Sequence, residues 1–99
     1  MINLNDLAEQ AHTIADMRGF KTDVFSALKH CSGEVAEAVE ANFWYNDSRT
    51  TNSKAELASE LSDIIICALT ASYEAGIDIE QALSEAMQKN AQRAYGGVK

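Results

Sequence analysis

The chain has 99 residues, 46% of them apolar, and carries eight Lys and Arg against fifteen Asp and Glu for a net charge of −7. That length makes one domain, residues 1–99, with only a modest share of its surface buried. The acidic balance argues against a nucleic-acid partner, since that backbone is held by lysine and arginine.

Proline is absent, so long uninterrupted helices are expected. Cys31 and Cys67 stand in no metal-ligand spacing and read as buried, reduced thiols. The start, MINLNDLAEQ, has no basic segment ahead of an apolar one, and the longest apolar run, Ile64–Leu69, is far short of a membrane span. A cytoplasmic protein without membrane association is expected.

A first helix is predicted over Leu4–Met17. Leu4, Leu7, Ala8, Ala11, Ile14 and Ala15 recur at helical spacing, Asn3 or Asn5 can cap it, and Gly19 stops it. A second runs from Thr22 as N-cap to Phe43. Val24, Phe25, Leu28, Cys31, Val35 and Val39 gather on one side of it, with His30, Glu34, Glu37 and Glu40 on a neighbouring arc. Trp44–Ser53 is rich in turn formers and reads as one long loop. Ser53 followed by Glu56 is a capping box, opening a third helix that reaches Ala75 with Gly76 beyond it. From Ile64 onward this helix is apolar nearly all round and needs cover on more than one side, for which a subunit interface is expected. Asp78 followed by Gln81 opens a fourth helix, Ile79–Tyr95, ended by Gly96-Gly97. The fold expected is an all-α four-helix bundle assembled as a homo-oligomer.

Two carboxylate pairs stand out: Glu34 with Glu37, and Glu60 with Asp63. Residues three apart share a helix face, so two antiparallel helices can bring all four acids to one point. Such crowding calls for a cation, and hard oxygen ligands suit magnesium or manganese. Each pair alone is a weak signal, and a solvated acidic face stays open as the plainer reading. The acids do border the apolar stripes, where an ionised group needs a partner. Lys89, Asn90 and Arg93 share one arc of the fourth helix and suit a phosphate chain, although a helix C-terminus favours cations in any case. His30, one turn before Glu34, could support a ligand or meet a phosphate, the plainer reading being a surface histidine paired with glutamate. Trp44 could stack on a base or plug the loop beneath it.

GEVAEAVE, ELSDIIICAL, GIDIEQAL and KNAQR, in that order over Gly33–Arg93, resemble the MazG-like all-α nucleoside triphosphate pyrophosphatases. That superfamily also holds dCTP pyrophosphatases and dimeric dUTPases. The resemblance implies an enzyme that binds magnesium through Glu34, Glu37, Glu60 and Asp63. It implies nucleotide contacts from Lys89, Asn90 and Arg93, and places Trp44 near the base. The reaction implied turns a (deoxy)nucleoside triphosphate and water into the monophosphate and pyrophosphate, with Glu37 or Glu40 as the base and house-cleaning of deoxynucleotides such as dCTP as the role. A dimer of dimers is favoured over a simple dimer. Ala86 stands where many members carry a lysine, and no proline follows Arg93. Two other readings remain: a pyrophosphohydrolase of phosphoribosyl nucleotides, and a non-catalytic nucleotide-binding regulator.

Overall fold

The computed structural model describes residues 2–48 and 51–95, with side chains given for 2–43 and 54–95. Among the described residues there are four helices and no strand: α1 (Leu4–Met17), α2 (Val24–Ser48), α3 (Thr51–Glu74) and α4 (Ile79–Tyr95). The all-α, four-helix expectation holds.

Local signals explain most helix ends. Asn3 caps α1, its Oδ1 accepting from the Asn5 and Asp6 N–H groups at 2.8 and 3.3 Å. Gly19 (φ 82°) ends α1 and Gly76 (φ 71°) ends α3, both in the left-handed region that glycine enters without strain. Each builds the same two-bond stop. Phe20 N–H reaches the Ala15 carbonyl and Gly19 N–H that of Asp16, both at 3.0 Å. Ile77 N–H reaches Ser72 at 3.0 Å and Gly76 N–H reaches Tyr73 at 3.1 Å.

The starts of α1 and α4 cap one another. Asp78 accepts from Gln81 N–H at 3.1 Å, as its position before Gln81 predicts. Gln81 does not close the box; its amide turns to Glu85 at 2.9 Å. Asn5 serves instead, its Oδ1 accepting from Ile79 N–H at 3.0 Å and its Nδ2 donating to Asp78 at 2.9 Å. Glu80 returns the bond, accepting from Leu4 N–H at 3.0 Å. Asp78 is thereby held below the usual carboxylate range, chiefly by the Asn5 hydrogen bond.

Three expectations are corrected. The cap of α2 is Asp23 rather than Thr22: its carboxylate accepts from Ser26 N–H at 3.1 Å, and hydrogen bonding to the Ser26 side chain and then to this N–H lowers its pKa. The long loop Trp44–Ser53 is mostly helix, since α2 continues to Ser48 and α3 has begun at Thr51. Asn, Asp, Ser and Thr cost a helix only fractions of a kcal/mol each, roughly 0.5, and no Gly or Pro interrupts this stretch. Ser53 consequently lies inside α3 and cannot cap it. Gly96-Gly97 falls outside the described residues.

Packing is centred on α3. It lies against α2 along much of its length and against α1, while α4 meets α1 and α3 near its start; among the described residues neither α1 nor α4 packs on α2. The core cluster is Ala8, Ala11 and Leu69, with Leu7 and Ile79 against it. The α2–α3 seam is built from small residues: Ala27, Ala38 and Ala41 on α2, Cys67 and Ala71 on α3, all buried. The large apolar residues of α2 lie more than about 100° round the helix from this face, with Phe25 73% and Val39 66% exposed. Ile65 and Ile66 of α3 are exposed too. The Cα radius of gyration, 15.9 Å, exceeds the roughly 13 Å of a compact chain this size. The described helices thus leave an apolar stripe uncovered.

Candidate metal centre

The alanine seam carries the acids. Ala27, Cys31, Glu34, Ala38 and Ala41 recur at helical spacing, so Glu34 sits in the middle of the face that α2 turns to α3. The sequence places it at the border of a stripe of large residues; the packed stripe is instead the one of small residues. Cys67 is buried and Cys31 half-buried, both free thiols. Burial, and then Cys31 beside it, pushes the Cys67 thiol up to about 11.

One carboxylate oxygen each from Glu34, Glu37 and Glu60 lie within 4.8 Å of one another. Glu34 and Glu60 are half-buried and Glu37 exposed. The Oε2 atoms of Glu34 and Glu60 are buried without a hydrogen-bond partner. Asp63, half-buried one turn along α3 from Glu60, is not one of the three. Its charge still raises the pKa of both Glu34 and Glu60.

Electrostatics record the crowding. The Glu60 carboxyl is pushed up to about 6, first by loss of water, then by hydrogen bonding to and repulsion from Glu37, then by Glu34 and Asp63. Glu34 is raised by loss of water, by Glu37 and by Asp63, with His30 working against them. Two orphaned buried oxygens among like charges fit a hard divalent cation, which would supply the missing partner.

The other expected residues are placed as follows. Glu40 is exposed beyond Glu37 and outside the group of three. Lys89, Asn90 and Arg93 are exposed on α4, which does not pack on α2; within one chain they are not set against Glu34 and Glu37. Trp44 belongs to α2, and its side chain lies outside the described residues. Ala86 is exposed on α4.

Beside the carboxylates, α1 and α2 stand apart above α3 and leave an open cleft of about 1040 Å³. Ile14, Ile66 and Leu69 give it apolar lining, and Glu34 and Asp63 belong to its wall. Arg18, Phe20 and His30 line it as well. In the sequence, Arg18-Gly19-Phe20 reads only as a helix stop. The signal lies in that stop, because the residue after a left-handed glycine is thrown back across the helix end.

Residues 22–96 match the family of the MazG nucleotide pyrophosphohydrolase domain. The curated proteins and the solved structures give no match.

Proposed function

Because the chain belongs to the MazG nucleotide pyrophosphohydrolase family, we propose that it is a magnesium-dependent enzyme that cleaves nucleoside triphosphates to monophosphates and pyrophosphate. Deoxynucleotides such as dCTP are the substrates we assign, and their removal is the role. The whole chain, α1 included, acts as one such domain.

The observation that carries the reading is the convergence of Glu34, Glu37 and Glu60, one oxygen of each within 4.8 Å of the others, with a buried, unpartnered oxygen on both Glu34 and Glu60. Glu34, Glu37, Glu60 and Asp63 would hold the cation, magnesium or manganese. When bound, such an ion neutralises phosphate charge and lowers the pKa of a nearby water. Glu37, the exposed acid of the three, takes the proton of the attacking water; Glu40 has an outer place. The water oxygen bonds to the α-phosphorus, the bond from that phosphorus to the bridging oxygen breaks, and pyrophosphate leaves with the electron pair.

Lys89, Asn90 and Arg93 are assigned to the phosphate chain and Trp44 to the base. The uncovered stripe on α2 and α3 supports a homo-oligomer, with a dimer of dimers favoured, and a second subunit is then a natural source of the α4 cations. No described helix is long and apolar enough to cross a membrane. We place the protein in the cytoplasm, where its free thiols stay reduced.

The test is a panel of ribo- and deoxynucleoside triphosphates with magnesium, the products separated by ion exchange. Equimolar monophosphate and pyrophosphate, with a deoxynucleotide preferred, is the expected result. Release of inorganic phosphate alone, or no turnover of any triphosphate, would overturn the reading.

A further inference from the structure

Gly19 turns the chain left-handed at the end of α1, and Phe20 N–H returns to the Ala15 carbonyl. The Phe20 ring then lies 5.8 Å from the His30 ring, tilted at 53°. The Arg18 guanidinium stands 4.8 Å from the centroid of the same Phe20 ring. One turn along α2, His30 Nε2 lies 3.2 Å from Glu34 Oε1. The two atoms stand at ion-pair distance, with Nε2 the ring nitrogen turned to the carboxylate. A continuous set of contacts thus joins the helix stop to the acidic group.

Glu34 divides its two oxygens. Oε1 faces His30 Nε2 at 3.2 Å, while Oε2 is buried without a hydrogen-bond partner. The last torsion of a glutamate side chain is soft, so holding one oxygen fixes the plane in which the other points. We propose that His30, braced by Phe20, is a positioning residue that orients the Glu34 carboxylate for the divalent cation. The inference rests on Glu34 being a metal ligand, as assigned above. The His30 side chain is 56% exposed, and an exposed pair one helical turn apart adds little to folding. What it contributes is therefore to be sought in metal affinity rather than in stability.

The experiment is Mn2+ binding to the full chain, followed by calorimetry and by the electron paramagnetic resonance of free Mn2+, in the absence of nucleotide. Compared are the unaltered protein, His30→Ala, His30→Gln and Phe20→Ala, each with its thermal melt in EDTA. Loss of a group that supports a metal ligand costs about 10- to 100-fold in affinity. His30→Ala is expected to weaken Mn2+ binding by about tenfold with an unchanged EDTA melt. His30→Gln keeps a donor within reach of Glu34 and recovers most of the affinity, and Phe20→Ala gives a smaller loss of the same kind. In turnover, the half-saturating magnesium rises while the rate at saturating magnesium is nearly kept. If the unaltered protein binds Mn2+ and His30→Ala binds it equally well, the positioning role is refuted and the metal centre stands. If His30→Gln is as weak as His30→Ala, the donor is not what matters and the proposal fails. If the unaltered protein binds no Mn2+, the metal assignment itself fails and takes the inference with it.

Discussion

Adding magnesium to metal-free protein at two pH values tests the acidic group directly. At 100 times its dissociation constant, a ligand that binds only the folded state stabilises it by about 2.7 kcal/mol. For a domain of this size each kcal/mol moves the midpoint by roughly 4–8 °C, so the melt should rise by roughly 10–20 °C at pH 7.5. At pH 5 protons compete. Glu60, with its carboxyl at about 6, is protonated about ten to one there, which weakens apparent metal affinity about tenfold. The same magnesium is then only about ten times the apparent constant, and the stabilisation falls to about half. Glu34, also raised, takes it lower still. Without metal the sign is opposite. A carboxyl raised above its ordinary 4.5 stabilises the fold most below that value and loses the contribution as pH rises through about 6. Asp23 and Asp78 are lowered, so their contributions are lost only below the ordinary 3.8 and leave this window untouched. Scanning calorimetry in EDTA and in magnesium, at pH 5 and 7.5, reads all four values. A midpoint indifferent to magnesium at pH 7.5, or a metal shift larger at pH 5, would refute the reasoning.

Replacing Glu37 or Asp63 by alanine should cut magnesium-dependent pyrophosphate release by at least about a hundredfold; full activity in either variant would remove that residue from the site. Asn5→Ala removes the acceptor for the Ile79 and Glu80 N–H groups and should lower stability by about 1–2 kcal/mol in urea titrations; an unchanged midpoint would mean water replaces it without cost. Val39→Asp charges the exposed stripe of α2 and should shift the mass by light scattering toward the monomer, whereas an unaltered mass would place the interface elsewhere.

Helix stops and starts are legible where one residue carries the conformation. Gly19 and Gly76 read correctly as stops because both sit at positive φ. Asp78 reads as the cap of α4, though not as half of a closed box, and Asn3 is one of the two caps the sequence offers for α1. The Trp44–Ser53 stretch misleads because polar turn formers oppose a helix only weakly, and no local signal reports the tertiary packing of α2 on α3 that can outweigh them. The four acids are visible as spaced pairs. The convergence of Glu34, Glu37 and Glu60 depends on which face of α2 is turned inward, and there the largest hydrophobics point to the wrong stripe. Asn5 reads as a cap but not as one for a helix more than seventy residues away, since a contact of that range leaves no mark in local sequence. Phe20 beside His30 is hidden for the same reason.

The small residues of the α2–α3 seam, Ala27, Ala38, Ala41 and Ala71, act as a gauge. Two helices that meet through methyl groups approach more closely than two that meet through leucines, and the carboxylates ride on those helices. Enlarging Ala38, one residue from Glu37, would widen the gap in which the acids converge without altering any of them. A larger hydrophobic residue there would keep the helices apolar where they meet and yet spread the carboxylates. Tolerance to substitution in this seam should therefore be set by ångströms of spacing between the acids before it is set by stability, and variation there should be read as variation in the proposed metal centre.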